Sequence, residues 1–240
     1  MEARFLPAGD CAMLVQLGDA ISLEVNGRVL GLYEDLKKDP VEGITEMVPT
    51  YASLMVQYRP DKVRFQELKK ILEERVARAG SVSQTRKVIR EVPICYEGDL
   101  APDLEECARL QGTTTDEIIR MHSSHDYYVY MLGFAPGHPY SARFEEPFSF
   151  RRRETARLSI PGGSVVVQQN LSDLIPFDQP CGWNIVGTTP VTITDFRRED
   201  PFLVHAGEWV RYIPVSRREY DRIKKEDAAG RYKVRTIEEA

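Results

Sequence analysis

The sequence predicts an α+β protein with a small N-terminal α+β domain, residues 1–85, followed by a larger domain of short strands, residues 86–215. Strand and helix patterns alternate in the first third of the chain, and strand patterns separated by Gly/Pro turns fill residues 126–214. The chain has 240 residues, of which 42% are hydrophobic and 29% are charged. This composition allows a sizeable core and excludes an intrinsically disordered chain.

The first third carries a β-α-β-β-α-β pattern. The apolar run CAMLVQL, residues 11–17, predicts a strand, and residues 19–38 repeat apolar side chains at helical spacing, with Asp19 as a possible cap. The strands ITEMVPT and SLMVQY precede a second amphipathic helix, FQELKKILEERVARAG, and a strand over residues 87–96. This order predicts a ferredoxin-like, split βαβ arrangement. The composition of AGSVSQT, residues 79–85, indicates a linker.

The second part of the chain is rich in short strands. Two short helices come first, APDLEECARLQG and TTDEIIRMHSS, and the second has a capping box of Thr114 and Glu117. The strand patterns are DYYVYMLGF, RLSIP, SVVVQQ, WNIVG, VTITDF, FLVH and EWVRYIP. Such strands with Gly/Pro turns predict a closed barrel or a sandwich. Ser216 with Glu219 begins a last helix, which forms residues 216–240 together with a charged tail.

Charge and cysteine content narrow the function classes. The chain has 32 Lys and Arg against 37 Asp and Glu, a net charge of -5, which argues against a general binder of nucleic acid or membranes. The basic runs at residues 151–153 and 197–198 are interpreted as solvated loops. No apolar stretch approaches the length of a membrane span, and the N-terminus lacks a signal-peptide pattern. Four scattered cysteines indicate no disulfide framework, so a cytoplasmic location is expected.

His122 and His125 lie three residues apart at the predicted end of a helix, next to Asp126. Two histidines and a carboxylate can bind a metal, but a histidine near a helix C-terminus also complements the helix dipole. Without a third well-spaced ligand the second interpretation is favoured, and no metal is predicted. His122 stays a candidate for proton transfer or substrate orientation, because imidazole titrates near neutral pH.

Two segments rich in Gly and Pro could shape a pocket. In YMLGFAPGHPY, residues 130–140, prolines fix φ and glycines allow turns, which predicts a rigid loop with His138 at its tip. In IPGGSVVV a tight turn over Gly162, Gly163 and Ser164 could direct backbone N–H groups towards an anion. Each segment alone is also consistent with a simple loop or hairpin corner.

Several ordered sequence blocks carry a family resemblance. HSSHDYYVYMLGFAPGHPY, residues 122–140, resembles the signature His-Ser-x-x-x-Tyr-x-Val-x-x-x-Gly-Phe-x-Pro-Gly-Phe-x-Tyr, and ARLSIPGGSVVV, PCGWNIVGTTP and HAGEWVRYIPVS follow in order. These blocks are similar to those of the family that contains KipI and the B subunit of 5-oxoprolinase, also called allophanate hydrolase subunit 1 or carboxyltransferase-domain subunit 1. The resemblance implies a cyclophilin-like β-barrel as the second domain, in agreement with the strand count.

The resemblance also implies a function. Such a chain would be a subunit of a heteromeric, ATP-dependent amidohydrolase such as 5-oxoprolinase, which opens 5-oxo-L-proline to L-glutamate, or of a related carboxyltransferase or allophanate hydrolase. Its partners would be a second cyclophilin-like carboxyltransferase subunit and, in many bacteria, a third subunit, and the complex would use ATP. Under this hypothesis the candidate catalytic residues are His122 and Arg157, and the candidate residues for binding a small carboxylate or amide substrate are His138, Tyr140, Gly162, Gly163 and Ser164. The arginine would pair with a carboxylate, and the turn would hold an oxyanion.

The chain departs from this family's pattern at pocket positions. His138 stands where the signature has Phe, and residues 171–176 read Leu-Ser-Asp-Leu-Ile-Pro where the family usually has Gln-Thr-Gly-Ile-Tyr-Pro. These losses leave open a non-catalytic regulator that binds a histidine kinase or another protein and, by fold analogy alone, a peptidyl-prolyl isomerase. We expect His122, His138 and Arg157 to lie in one cleft, where His138 adds a hydrogen-bond donor that Phe cannot supply.

Overall fold

The structure is a computed structural model that describes residues 2–79, 87–142 and 147–239. The predicted linker, residues 79–85, lies outside these ranges except for its first residue. Within the described ranges no helix is both long and apolar enough to cross a membrane.

The chain divides into two compact units, Met1–Thr85 and Arg86–Ala240. Each unit combines helices with strands around its own hydrophobic core, so the predicted α+β class is confirmed. The residues after 216 belong to the second unit, and their last part forms a strand of its sheet instead of the predicted charged tail.

The first unit is an antiparallel sheet with two helices. Its elements are β1 (Arg4–Pro7), β2 (Ala12–Gln16), α1 (Leu23–Lys38), β3 (Ile44–Pro49), β4 (Ser53–Tyr58) and α2 (Phe65–Arg78), and the strand order is β1-β2-β4-β3. The apolar faces of both helices pack on the sheet, where Leu32, Val56 and Leu68 are fully buried. Burial of each such side chain contributes about 1.5–3 kcal/mol to stability.

The strand that completes this sheet differs from the predicted one. The β-α-β-β-α-β pattern predicts residues 87–96 as its fourth strand, but β1 takes the edge position and pairs with β2 along all four of its residues. β1 carries little sequence signal because it is short and ends in proline, which only an edge strand tolerates. Helix α1 is capped by Ser22, whose side chain accepts a hydrogen bond from the Val25 N–H at 3.1 Å, and not by Asp19.

The second unit contains the remaining elements. Its helices are α3 (Leu104–Gln111), α4 (Thr115–Ser123) and α5 (Arg217–Ala228), and its strands are β5 (Lys87–Ile94), β6 (Asp126–Leu132), β7 (Pro139–Ala142), β8 (Arg157–Ile160), β9 (Ser164–Gln168), β10 (Leu171–Leu174), β11 (Gln179–Cys181), β12 (Asn184–Thr188), β13 (Trp209–Pro214) and β14 (Arg235–Glu239). Eight strands form one sheet in the order β12-β9-β10-β7-β6-β13-β5-β14, and β11 pairs with β8 separately. The predicted caps Thr114 and Ser216 each accept a backbone hydrogen bond from a glutamate three residues later.

The large sheet curls until β5 reaches β12. Cys95 and Thr188 exchange two backbone hydrogen bonds of 2.9 and 3.0 Å. Gly187 permits this approach, because a Cβ at that position would lie 2.6 Å from the Ile94 side chain. The sheet thereby encloses the main core of the unit, as the predicted cyclophilin-like barrel requires.

Several strands differ from the sequence prediction. VTITDF and FLVH, both predicted as strands, are joined only by the isolated bridge between Thr194 and Phe202. Conversely, the sequence patterns do not predict β7, β10, β11 and β14. These strands are short and carry Pro, Ser, Asp or Glu, so their pairing depends on tertiary contacts and not on intrinsic strand preference.

Strands β9 and β10 separate two cores. Val165 and Val167 face the main core, whereas Val166 belongs to a small core that it forms with Ile160, Ile175 and Ile185. Because neighbouring side chains of a strand point to opposite faces, Ser172 and Asp173 of β10 enter different environments. Ser172 faces the main core, and Asp173 faces the side of the small core.

Candidate functional site

A pocket of about 280 Å³ lies beside the small core of the second unit. Its polar lining residues are His138, Tyr140, Arg152, Asp173, Gln179 and Cys181, and its other lining residues are Phe134, Val166, Ile175, Pro180, Gly182 and Trp183. Strands β7, β9, β10 and β11 supply half of the lining residues, and the loops next to them supply the other half. A concave, largely apolar surface with a few convergent polar groups is typical of a small-molecule site.

A larger groove of about 800 Å³ next to α5 is less suited to a specific ligand. Its three arginines already pair with carboxylates of the same unit: Arg90 with Glu208, Arg197 with Asp195, and Arg198 with Asp195 and Asp227. Recruiting them for a ligand would require breaking those pairs. We therefore take the smaller pocket as the candidate site.

A tight turn between β6 and β7 places His138 in the pocket. The Gly133 N–H donates to the His138 carbonyl at 3.0 Å, and the His138 N–H donates to the Ala135 carbonyl at 3.0 Å. Gly137 has φ +76°, and a Cβ there would lie 2.0 Å from the Thr194 hydroxyl, so only glycine fits. The turn therefore has the fixed shape that its sequence predicts.

The His138 ring is buried and has a partner at each nitrogen. It stacks on Tyr140 with ring centroids 4.9 Å apart. Its Nε2 lies 3.3 Å from Asp173 Oδ2, and its Nδ1 lies 3.0 Å from Gln179 Nε2. An amide nitrogen can only donate, so Nδ1 accepts and the ring proton sits on Nε2, facing the carboxylate.

Asp173 is a buried carboxyl group within this pocket. Burial raises the pKa of Asp173 above its usual value, although the hydrogen bond and charge of His138 oppose the rise. The Ser141 N–H, 3.0 Å from Oδ1, also favours the charged form. A carboxyl group perturbed by burial and by one specific partner inside a pocket indicates a functional site.

Arg152 supplies a cation to the pocket. Its side chain is exposed and crosses Gly182 so closely that a Cβ there would lie 2.4 Å from its Nε. Within the described part of the chain Arg152 has no ion pair, so its guanidinium is available to an anion.

Cys181 is a poor nucleophile. Burial raises the pKa of its thiol, and its Sγ accepts a hydrogen bond from the Trp183 N–H at 3.3 Å. The thiol is therefore protonated near neutral pH, whereas nucleophilic attack requires the thiolate.

His122, predicted as a catalytic residue, lies in the main core and not in the pocket. It is 0% exposed, with Nδ1 2.7 Å from the Tyr96 hydroxyl and Nε2 2.9 Å from the Ser172 hydroxyl. Its ring stacks on Tyr212 at 4.4 Å. These contacts connect α4 to the barrel strands, so His122 is placed to support the fold and not to touch a ligand of this pocket.

Arg157, predicted to pair with a substrate carboxylate, pairs with Asp103 instead. Its guanidinium donates to both carboxylate oxygens at 2.8 and 2.7 Å. Arg153 and the Ile185 N–H also donate to Asp103, at 3.1 and 2.8 Å. Burial alone would raise the pKa of Asp103, but these hydrogen bonds and charges outweigh it and lower the pKa. Arg157 is thus committed to an internal ion pair.

The turn predicted as an oxyanion hole uses its N–H groups internally. They donate as follows: Gly162 to Asp178 Oδ1 at 2.8 Å, Gly163 to the Ile175 carbonyl at 2.7 Å, and Ser164 to the Pro161 carbonyl at 3.2 Å. The turn connects β8 to β9, which belong to different sheets, so it is neither an oxyanion hole nor the hairpin corner that its sequence also allows.

The structure brings together only part of the predicted site. His138 and Tyr140 line the pocket, while the expected cleft that joins His138 to His122 and Arg157 is not formed. The sequence does not predict the other four polar groups of the pocket, which are Arg152, Asp173, Gln179 and Cys181. Two of these residues lie in segments that the sequence marks as unusual. Arg152 belongs to the basic run at residues 151–153, which from sequence alone is interpreted as a solvated loop, and Asp173 belongs to residues 171–176, which depart from the expected family pattern.

Comparison with known proteins identifies the family. The family model for the carboxyltransferase domain, subdomain C and D, matches residues 3–204. The chain belongs to this family. The B subunit of 5-oxoprolinase from Bacillus subtilis (strain 168) is 33% identical over 228 residues, which cover 91% of this chain and 95% of the relative. The B subunit of 5-oxoprolinase from Escherichia coli O157:H7 is 28% identical, covering 88% of this chain and 96% of the relative.

Two solved structures share the fold of this chain. TTHA0988 superposes with a TM-score of 0.75 and 31% identity, covering 85% of this chain; the chain spans only 40% of that protein. The urea amidolyase of K. lactis gives a TM-score of 0.82 at 19% identity, covering 99% of this chain and 16% of that protein. At that identity the similarity concerns the fold alone.

Two departures from the carboxyltransferase-domain signature meet in the pocket. His138 replaces Phe and Asp173 replaces Gly, and the two side chains are hydrogen-bonded to each other.

Proposed function

We propose that the chain is a subunit of a cytoplasmic, ATP-dependent amidohydrolase of the 5-oxoprolinase type, and that its pocket binds the cyclic amide substrate. Relatives that match over nearly all of their length are named as 5-oxoprolinase subunits, which supports this assignment. A second cyclophilin-like carboxyltransferase subunit and a third subunit complete the enzyme, and ATP is used by the complex.

The observation that carries the proposal is the combination of polar groups in the pocket. 5-Oxoproline is a small ring that bears an amide and a carboxylate. Arg152, which is free of ion pairs in the described part of the chain, pairs with the carboxylate. Tyr140 and Trp183 pack against the ring, and Gln179 hydrogen-bonds the amide.

The reaction adds water across the lactam C–N bond and yields glutamate, with ATP as the energy source of the complex. In this scheme the chain binds and orients the substrate, and it excludes water with the apolar wall around Val166 and Ile175. His122 and Arg157 take no part in binding, because each is committed to internal partners.

The test is co-expression with the partner subunits, followed by measurement of ATP-dependent glutamate release from 5-oxoproline. Arg152→Gln should raise KM by roughly 10- to 100-fold, with a smaller change in kcat, because it removes a charge-assisted hydrogen bond to the substrate. Arg151→Gln, the same change at the adjacent exposed position, is the control and should leave KM unchanged. A wild-type complex without this activity, or an unchanged KM in Arg152→Gln, contradicts the proposal.

The alternative of a non-catalytic regulator of a histidine kinase is not favoured. The relatives matched across most of the chain are named as enzyme subunits or as urea amidolyase. The pocket also retains uncommitted polar groups, which a chain acting only through its outer surface does not need.

A further inference from the structure

A chain of hydrogen bonds runs from Gln179 through His138 to Asp173, and the Asp173 carboxylate also accepts from Ser141 on its other side. The Ser141 N–H donates to Asp173 Oδ1, and Asp173 Oδ2 accepts from His138 Nε2–H. His138 Nδ1 in turn accepts from Gln179 Nε2–H. The carboxylate, which can only accept, thereby fixes the ring tautomer, and the tautomer fixes which end of the Gln179 amide faces His138.

The Gln179 carbonyl is the end of this chain. Gln179 is 7% exposed, and within the described residues its Oε1 is buried and accepts no hydrogen bond. Almost all buried polar atoms in native proteins have a partner, and leaving one without a partner is unfavourable. Since Gln179 lines the pocket, a ligand with an N–H group can supply the missing donor.

We propose that Gln179 is the residue that sets the hydrogen-bond specificity of the pocket, and that the His138–Asp173 pair sets the direction of that specificity. When Asp173 is a carboxylate and His138 is neutral, Gln179 presents its Oε1 to the ligand. This oxygen selects a neutral N–H donor such as a lactam. The inference rests on the proposed function for its choice of ligand, although binding alone tests it.

The other groups around the His138 ring do not compete for the proton. Burial raises the pKa values of the Tyr140 hydroxyl and the Cys181 thiol, so both stay neutral. Arg152 is a permanent cation. Phe134 contributes only an apolar edge, with ring centroids 5.9 Å apart. Proton uptake in the pocket therefore concerns Asp173, whose pKa burial raises, and the hydrogen bond that it shares with His138.

Proton uptake by the pair reverses the specificity wherever the proton resides. A proton on His138 places hydrogen on both ring nitrogens, and a proton on Asp173 makes that carboxyl the donor to Nε2 and moves the ring hydrogen to Nδ1. In both cases Nδ1–H must donate to Gln179. The amide then turns its Oε1 towards the ring and leaves Nε2–H for the ligand, so the pocket selects an acceptor.

Asp173→Asn should produce the same reversal without a change of pH. The Ser141 N–H requires an acceptor, so the asparagine keeps its oxygen on that side and presents its Nδ2–H to His138. The ring then carries its proton on Nδ1, and Gln179 again turns over. One atom at position 173 thus determines what the pocket offers to a ligand.

The experiment compares 5-oxoproline with the corresponding lactone acid, in which oxygen replaces the ring N–H. Binding to the assembled complex is measured by calorimetry at pH 8 without ATP, so that the lactam is not consumed. The wild type should prefer the lactam by roughly 10- to 100-fold, because the lactone leaves Oε1 without a partner. Gln179→Met should bind both ligands about equally, and Asp173→Asn should bring the ratio to about one or below.

Controls separate folding from specificity. Gln66→Met makes the same change on the exposed surface of α2 and should keep the wild-type ratio. A pH series from 5.5 to 8 on the wild type needs no mutation, and the preference for the lactam should fall as pH falls. His138→Phe, which restores the residue of the family signature, should make the ratio independent of pH.

Equal binding of lactam and lactone by the wild type, a pH-independent ratio, or a wild-type ratio in Asp173→Asn would each overturn the inference. The two proposals can fail separately. A complex that binds the lactam with the expected ratio but releases no glutamate contradicts the proposed function alone. Glutamate release together with a Gln179→Met complex that keeps the wild-type ratio contradicts the specificity role alone.

Discussion

Two histidines on opposite sides of strand β10 show how similar chemistry serves different ends. His122 hydrogen-bonds to Ser172 in the main core, and His138 hydrogen-bonds to the next residue, Asp173, in the pocket. Around His122 both ring nitrogens have hydroxyl partners inside the core. Around His138 the hydrogen bonds lead to Gln179, whose carbonyl oxygen accepts no hydrogen bond from any described residue.

This contrast distinguishes the cluster that stabilises the fold from the cluster that is open to a ligand. A fully satisfied buried network rigidifies a core, whereas a network that ends in an unsatisfied atom beside a cavity lacks its last partner. Neither residue type nor burial distinguishes the two clusters, because both contain a buried histidine that is hydrogen-bonded to a residue of β10.

The largest effect is expected from His122→Ala, which should destabilise the second unit by about 3–5 kcal/mol. The change opens a cavity and leaves the Tyr96 and Ser172 hydroxyls without their partner. Urea unfolding measures the loss. His138→Ala, at the edge of the pocket, should lower the free energy of unfolding by clearly less. Equal losses of stability in the two variants would contradict the contrast between the clusters.

Arg157→Met should have the next largest effect on stability, a loss of about 1–3 kcal/mol. The change leaves the Asp103 carboxylate buried with Arg153 as its remaining cation. Arg153→Met is the matched comparison. It removes only one hydrogen bond to Asp103, from a more exposed side chain, and should lower the free energy of unfolding by less.

The Arg157→Met variant should also change how the stability of the fold depends on acid pH. The pKa of Asp103 is lower in the folded protein than its usual value of 3.8, so its contribution to stability is present above that value and is lost as pH falls through the folded pKa. Arg157→Met should shrink this contribution. Thermal unfolding between pH 3 and 7 tests it, and an unchanged pH profile would rule out the role of Arg157.

Asp173→Asn should change the stability of the fold by less than Arg157→Met. Its effect on stability should depend on pH in the opposite direction. Burial raises the folded pKa of Asp173, so its contribution is full below the unfolded pKa and is lost as pH rises through the folded pKa. Asparagine does not titrate, so stability should shift in favour of the variant as pH rises, by about 1.4 kcal/mol for each unit of pKa difference. Urea unfolding at pH 4, 5.5 and 7 measures this, with Asp116→Asn on the exposed surface as control.

Much of the fold is predictable because its signals are local. Helix caps such as Thr114 and Ser216 are read from residues three positions apart, and both hydroxyls accept the expected backbone hydrogen bond. The Glu117 side chain pairs with Arg120 and does not complete the predicted capping box. Strand β14 escapes prediction because its charged sequence resembles a solvated tail, and it is ordered by pairing with β5. The predicted fourth strand of the N-terminal sheet is wrong because adjacency in sequence does not decide which edge a strand joins.

The site is less predictable than the fold, because it depends on which face of each strand is buried and on which other elements pack against that face. The rigid Gly/Pro turn leads to His138, since its conformation is encoded locally. His122 looks equally suitable for chemistry in the sequence, and only the packing of α4 on the barrel shows that it is sealed in the core. Gln179 carries no sequence signal, because an unsatisfied carbonyl is a property of the assembled pocket.

Tryptophan fluorescence can show directly whether ligand binds at the His138–Asp173–Gln179 pocket. The chain has two tryptophans, and Trp183 lines the pocket whereas Trp209 lies on β13. Trp209→Phe and Trp183→Phe each leave one reporter in the assembled complex, with partner tryptophans replaced where present. Titration with 5-oxoproline should change the emission of the Trp183 reporter and leave that of Trp209 unchanged. Binding that calorimetry detects but Trp183 does not, or that only Trp209 reports, would contradict ligand binding in this pocket.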